Sequence, residues 1–163
     1  MHRYGCLWVL LLVCVMPFAK AQERPTEQSA EATLAGFFDA LSTENFPRAD
    51  MREWVTEDFL IYEMGQTFSW PEFQHFLEAA DYDAWVSTDW QFSDLRVSLS
   101  DSAAHISYVN TGEFVYPDPE QPGKNVRELN VWLESAYLVL DDGKLKIKFL
   151  QSDNVSRVVE PLL

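Results

Sequence analysis

The sequence predicts an α+β fold in which helices pack on one face of a mostly antiparallel sheet. Helical patterns are confined to the first half of the chain, up to Ala80, and every segment beyond Asp83 reads as a β-strand. Helices and strands that are segregated in this way favour helices packed on one face of an antiparallel sheet. The last two strand-like segments are joined by Asp142-Gly143, a pair typical of a tight hairpin.

The first 21 residues have the pattern of a secretory signal peptide. Arg3 precedes an apolar run from Cys6 to Met16, and Ala19 and Ala21 are the small residues expected before a cleavage site. The apolar run is shorter than the ~20 residues that span a bilayer, so a membrane anchor is the minor alternative. We expect cleavage after Ala21 and a secreted or periplasmic protein.

Composition excludes several classes of partner. Both cysteines, Cys6 and Cys14, lie in the leader, so the mature chain forms neither a disulfide nor a thiolate metal site. The leader also holds Arg3 and Lys20, which leaves 10 basic against 26 acidic residues in the mature chain. Nucleic acids and anionic membranes require a basic face, so neither is expected as a partner.

Three helices are predicted before the strands begin. The first covers residues 29–45, because its apolar residues recur at the spacing of one helix face. These residues are Leu34, Phe37, Phe38 and Leu41. A second, short helix is predicted over residues 48–55. The third begins after Ser69, which forms a capping box with Glu72 and is followed by Pro71 in the first turn.

The strands define the remainder of one domain. A short first strand is predicted within residues 58–65, where β-branched and aromatic residues end at Gly65. Four longer strand-like runs follow it, over residues 84–100, 103–116, 128–140 and 144–152. The chain then divides into a signal peptide (1–21), a polar linker (22–28), one domain (29–153) and a C-terminal tail (154–163).

The last hairpin predicts which side chains face the interior. If Asp142 and Gly143 are the central residues of a type I′ turn, outward counting gives four pairs on one face: Leu140 with Leu145, Leu138 with Ile147, Ala136 with Phe149, and Glu134 with Gln151. The opposite face carries Lys146 and Lys148, which are expected to point to water. Glu134 and Gln151 are therefore predicted to face the interior together.

The same hairpin carries a family pattern. It reads Glu-Ser-Ala at residues 134–136, then Asp-Gly, and then Lys146, Ile147, Phe149 and Ser152. Together with "DFLIYEMG" as a first strand, the mature chain resembles the NTF2-like superfamily, and within it the SnoaL-like or DUF4440-type bacterial proteins. The resemblance implies a cone in which three N-terminal helices and a curved sheet enclose a pocket. It also implies a homodimer.

The chain departs from the pattern of the relatives at three positions in this hairpin. Gln151 stands where relatives tend to have a histidine, Asp153 where they often have a threonine, and Leu145 where they usually have a tryptophan. An amide does not titrate near neutral pH, so any proton transfer that relatives assign to that histidine is not available here.

The candidate pocket residues come from the hairpin and from the aromatic residues of the other segments. They are Trp54, Phe59, Tyr62, Tyr108, Trp132, Glu134, Phe149 and Gln151. Glu134 and Glu63 are the candidate catalytic residues. Tyr62 and Glu63 are adjacent in a strand, so only one of them faces the pocket. The simpler alternatives are an exposed strand carboxylate for Glu134 and ordinary core positions for Trp54, Phe59 and Tyr108.

Three functions fit these residues. The first is an exported protein that binds an unknown small molecule and needs no cofactor. The second is a cofactor-independent lyase or isomerase in which Glu134 or Glu63 moves a proton and a tyrosine polarises an oxygen. The third is a protein-interaction module with a vestigial pocket. His75 and His105 have no partner at metal-ligand spacing, so no metal site is predicted.

Overall fold

The computed structural model describes residues 24–162, so the predicted signal peptide lies outside the described residues. These described residues form two α-helices, α1 (Glu27–Ala40) and α2 (Trp70–Ala79), and six strands. The strands are β1 (Val55–Glu63), β2 (Gln66–Ser69), β3 (Ser87–Leu99), β4 (Ala103–Pro117), β5 (Asn125–Asp141) and β6 (Lys144–Pro161). They form one sheet in the order β2-β1-β6-β5-β4-β3, and the helices pack on its concave face.

The sheet is antiparallel except for one pair. Strand β1 runs parallel to β6, with Ile61 opposite Leu150 and Tyr62 opposite Gln151. The predicted mostly antiparallel α+β fold is confirmed. Strand β2 was not predicted, and it arises because Met64 and Gly65, both at positive φ, make a tight turn that returns the chain beside β1.

The described residues contain two α-helices, so the prediction of three was wrong. Residues 48–55 contain only a single 3₁₀ turn, Met51–Glu53. The turn ends because the sheet pairs with the chain directly afterwards: the backbone N–H of Ile147 donates to the carbonyl of Trp54 at 2.8 Å, and Val55 begins β1. Neither α-helix of residues 24–162 is long and apolar enough to cross a bilayer.

Helix α1 forms where its apolar stripe predicted it, and it ends earlier than expected. Thr26 is its N-cap, and Thr26 and Ser29 bond each other's backbone N–H groups at 3.0 and 2.9 Å. All four stripe residues are buried. Gly36 lets the helix approach the sheet, because a Cβ at this position would lie 2.2 Å from the ring of Trp54.

Helix α2 confirms the predicted capping box. The backbone N–H and the hydroxyl of Ser69 both donate to Glu72, at 2.8 and 2.7 Å. The helix presents Phe73 to the core, and Phe73 and Phe76 lie 6.0 Å apart, stacked beside Phe68 of β2. Helix α2 thus covers the end of the sheet where β1 and β2 meet.

Strand β6 explains why the predicted hairpin register is only partly right. The Asp142-Gly143 turn, both residues at positive φ, gives the predicted pairs of Leu140 with Leu145 and Leu138 with Ile147. A β-bulge at Lys148 then shifts the pairing by one residue, so that Tyr137 lies opposite Phe149.

The shift carries through the rest of the hairpin. Glu134 pairs with Ser152 instead of Gln151, and Gln151 pairs with Ser135. A second bulge lies at Val155, between the pairs Trp132–Asn154 and Val131–Ser156. The residues expected to form a C-terminal tail continue β6 as far as Pro161, opposite Val126. This part of the chain is strand because β5 is long enough to pair with it.

Candidate functional site: a cavity with two carboxyl groups

A cavity of about 790 Å³ lies between the helices and the concave face of the sheet. Its helical side is wholly apolar and comes from α1 and α2: Phe37, Phe38, Leu41, Phe73, Phe76 and Leu77. Its sheet side is formed by the inward-facing residues of β1, β3, β4, β5 and β6. The size and the apolar walls are those of a small-molecule site.

One glycine makes room for the aromatic wall of this cavity. Trp90, Phe114 and Trp132 come from three neighbouring strands, and their ring centroids lie 5.0 to 6.0 Å apart. All three rings converge over Gly112, where a Cβ would lie 2.6 Å from Phe114 and 2.9 Å from Trp132. The missing side chain therefore allows the rings to pack together along the wall.

Glu134 forms the deep polar end of the cavity. It is 7% exposed, and it accepts hydrogen bonds from Ser152 Oγ at 2.8 Å and from Asn110 Nδ2 at 3.1 Å. Both donors are neutral. Among residues 24–162, no lysine, arginine or histidine lies within salt-bridge distance of the Glu134 carboxyl group. A buried carboxylate without a cation pays a large desolvation penalty.

Burial therefore dominates the titration of Glu134. It raises the pKa of Glu134 from 4.5 to about 7, although the nearby Tyr108 hydroxyl and the hydrogen bonds from Ser152 and Asn110 offset part of the effect and the charge of Glu63 adds to it. Burial likewise raises the pKa of the Tyr108 hydroxyl, and the charge of Glu134 raises it further. Glu134 therefore changes its ionisation state near neutral pH rather than in the acidic range of an exposed glutamate.

Glu63 lies at the same end of the cavity. It belongs to the inward face of β1 with Phe59 and Ile61, and it lines the cavity beside Ser152 and the Trp132 indole. Burial raises the pKa of Glu63, and Ser152 and Trp132 offset part of that rise. Two carboxyl groups with raised pKa values therefore flank one serine.

Three buried polar atoms near this end have no hydrogen-bond partner among the described residues. They are Asn110 Oδ1, the Tyr108 hydroxyl and Trp90 Nε1. The Tyr108 hydroxyl lies next to Glu134 without a well-aligned hydrogen bond. Unpaired buried polar atoms are rare in folded proteins, and they often mark sites that a ligand or water completes.

A second polar cluster lines the cavity toward the far ends of β4, β5 and β6. Glu128 accepts two hydrogen bonds from Arg157, both at 2.8 Å, one from Tyr116 at 2.5 Å and one from Asn130 at 2.6 Å. Burial alone would raise the pKa of Glu128, but these donors lower it below its usual value. Glu128 is accordingly an ionised, fully bonded carboxylate.

Solved structures with a similar architecture cover most of the chain. A Kribbella flavida protein matches with a TM-score of 0.64 at 15% identity, over 81% of this chain and 94% of its own. A putative scytalone dehydratase from Novosphingobium aromaticivorans matches with 0.63 at 16% identity, over 83% and 88%. A putative ketosteroid isomerase from Shewanella frigidimarina matches with 0.54 at 16% identity, over 78% and 96%.

These TM-scores show that the chain and the three structures share one overall fold. The chain has the NTF2-like fold. At these identities the similarity establishes the fold and not a shared activity. Neither a protein-family profile nor a curated protein matches the chain.

The NTF2-like cavity contains three of the sequence-predicted site residues. Glu134, Trp132 and Glu63 all line it. Glu63 rather than Tyr62 faces inward, because β1 alternates and Tyr62 lies on the convex face. Tyr108 lies directly behind the cavity wall, with its hydroxyl beside Glu134.

The other five predicted residues lie elsewhere. Phe59 is core, 6.0 Å from Phe37, and Trp54 packs under α1. Tyr62 and Phe149 pack against each other on the convex face, at 4.9 Å, and Gln151 lies on that face as well. The bulge at Lys148 moved Phe149 and Gln151 out of the interior, so both predictions were wrong.

Sequence reasoning missed Asn110, Ser152 and Glu128. Asn110 shares the inward face of β4 with Ile106 and Tyr108, so strict alternation along β4 identifies it. Ser152 could not be found by counting from the turn, because the bulge at Lys148 shifts the pairing of β6 by one residue. Within residues 24–162 no group of three His, Cys, Asp or Glu side chains is placed to hold a metal ion.

The raised pKa of Glu134 predicts how stability depends on pH. A folded-state pKa near 7 against 4.5 when unfolded stabilises the fold below pH 4.5, and this contribution is lost as the pH rises to 7. The loss is about 3 kcal/mol of unfolding free energy. In urea denaturation at several pH values, the free energy of unfolding of the wild type should fall over this range by about 3 kcal/mol more than that of Glu134→Gln, which retains only the contribution of Glu63.

A matched control is Glu57→Gln, which removes an exposed carboxylate of β1. It should follow the wild type across the whole pH range. Parallel curves for the wild type and Glu134→Gln would contradict the assignment of Glu134 as a buried carboxyl group.

Proposed function

We propose that this is an exported protein that binds an apolar small molecule in the cavity, with the polar part of the ligand at Glu63 and Glu134. The observation that carries the proposal is the hollow cavity of about 790 Å³ with aromatic walls, which has Glu63 and Glu134 at one end and the fully bonded Glu128 cluster toward the other. Apolar walls supply affinity through burial, and a few convergent polar groups fix orientation.

The size of the cavity supports this proposal over an interaction module with a vestigial pocket. A vestigial pocket would be filled by side chains, whereas the described walls leave room for a ligand with several rings. The fold comparison is consistent with a binding role, because neighbours of this fold include proteins named for acting on small molecules.

The proposal also includes export of the protein and the formation of a homodimer. The leader pattern supports export. Two apolar side chains on the convex face of β5, Leu133 and Tyr137, are 52% and 42% exposed and support a homodimer through that face. A similar fold occurs in the association domain of a kinase from C. elegans. N-terminal sequencing and light scattering measure these two properties.

Binding is testable with the neutral fluorescent probe N-phenyl-1-naphthylamine and two adjacent alanines. Ala80 lines the cavity, whereas Ala79 is exposed and lies outside the lining. The probe should bind the wild type saturably at one site, with a blue-shifted emission. Ala80→Trp, which adds a bulky ring at a lining position, should weaken binding at least about tenfold.

Ala79→Trp is the matched control, because it adds the same side chain one residue away, and it should bind like the wild type. If the two variants bound the probe equally, the probe would not occupy this cavity. If the wild type did not saturate, the proposed binding function would be wrong.

A second candidate function is proton transfer without a cofactor, and the paired carboxyl groups favour it. A general base works best when its pKa lies near the working pH, and Glu134 meets this condition. We propose that Glu134 removes a proton from a bound ligand while the hydrogen bonds from Asn110 and Ser152 orient its carboxylate. Two structural neighbours are named as a putative dehydratase and a putative isomerase, which supports a reaction of this class.

The base function is testable with 5-nitrobenzisoxazole, a planar probe with one acidic C–H. Ionised Glu134 should take this proton as the N–O bond breaks, which releases a coloured cyanophenolate, and water then removes the proton from Glu134. The rate should rise with pH through about 7 and fall about 100-fold in Glu134→Gln. Glu57→Gln should retain the wild-type rate. A rate that does not depend on Glu134 would eliminate this candidate.

A further inference from the structure

The charges that line the cavity are nearly all of one sign. Arg157 is the one basic side chain among the described lining residues, whereas the acidic ones are Glu63, Asp81, Asp118, Glu128 and Glu134. Because Glu128 already holds Arg157 through two hydrogen bonds, that guanidinium is neutralised. The net charge of −14 on the whole chain adds to the negative potential. An anionic ligand is therefore disfavoured.

The aromatic wall adds a second preference for positive charge. Trp90, Phe114 and Trp132 all line the cavity, their ring centroids lie 5.0 to 6.0 Å apart, and the Trp132 indole lies beside Glu63. Aromatic rings attract a cation that lies within about 6 Å of their faces. The wall and the carboxyl groups thus act on the same part of the cavity.

An unused acceptor lies at the same end. Asn110 is completely buried, its Nδ2 donates to Glu134, and its Oδ1 has no hydrogen-bond partner among the described residues. Two carboxyl groups therefore line one end of the cavity, an unpaired carbonyl oxygen lies next to one of them, and no basic side chain of residues 24–162 forms a salt bridge with either carboxyl group. Such an arrangement is unfavourable until a proton or a positive group completes it.

We infer that the cavity binds an organic cation, an apolar or aromatic ammonium whose charge lies between Glu63 and Glu134 and whose body contacts Trp90, Phe114 and Trp132. This inference rests on the proposed binding function and specifies the charge of the ligand. A cation at that position favours the ionised form of both carboxyl groups, so binding releases protons near neutral pH.

The pH dependence of binding follows from the groups around this position. Glu63 on β1, Tyr108 on β4, Glu134 on β5 and Asp153 on β6 are the titratable groups that act on it. Helices α1 and α2 contribute only apolar side chains to the lining, whereas Asp81 and Tyr82, which follow α2, contribute a carboxylate and a phenol. Affinity for a cation should therefore increase with pH as Glu63 and Glu134 ionise, whereas affinity for a neutral ligand should not.

Isothermal titration calorimetry with two probes of the same shape tests the inference. Phenyltrimethylammonium and tert-butylbenzene differ only in a charged nitrogen in place of a carbon. At pH 8 the cation should bind at least about tenfold more tightly than the neutral probe, and its advantage should shrink at pH 5. Glu63→Gln and Glu134→Gln should each weaken binding of the cation about tenfold and leave tert-butylbenzene unaffected.

Glu57→Gln is the matched control, since it removes one negative charge from the exposed side of β1 and should change neither affinity. Binding of tert-butylbenzene with equal or weaker binding of the cation overturns this inference and leaves the proposed binding function intact. If neither probe binds, both the inference and the proposed function are wrong.

Discussion

The chemistry of the polar end of the cavity depends on one constraint. The carboxyl group of Glu134 is buried, and no cation of the described chain lies beside it to offset its charge. The sheet holds it there with two neutral donors, Asn110 and Ser152, one on each neighbouring strand. Replacing either donor would leave a buried acceptor unpaired, which costs about 1–3 kcal/mol. Because neutral donors offset burial only in part, the pKa of Glu134 rises to about 7. The ionisation state of Glu134 therefore depends on the pH and on the charge of any ligand in the cavity.

Glu128 is a carboxylate on the same strand that does have a cation beside it. It lies on the inward face of β5, six residues before Glu134, and accepts hydrogen bonds from Arg157, Tyr116 and Asn130. These donors lower the pKa of Glu128, whereas the pKa of Glu134 is raised. Two glutamates on one face thus have opposite titration behaviour, which is typical of residues with different tasks. Glu128 joins three strands at one end, and Glu134 remains available to a ligand.

The sequence predicted the fold class and the inward position of Glu134, because alternation along β5 alone places Glu134 with Ala136 and Leu138. It did not predict the partner of Glu134, since a bulge at Lys148 inserts one residue that no local pattern marks. Lysine is common on both bulged and regular strands. The helical walls and Gly112 belong to the site only through packing between distant segments, so neither spacing nor composition could reveal them.

A carbon-13 titration of the glutamate side-chain carboxyl groups tests the central claim most directly. The resonance of Glu134, assigned by its loss in Glu134→Gln, should titrate with a midpoint near pH 7 in the folded protein. A midpoint near 4.5, the ordinary value for glutamate, would show that Glu134 is solvated. That result would contradict the buried polar end of the cavity and the functions proposed from it.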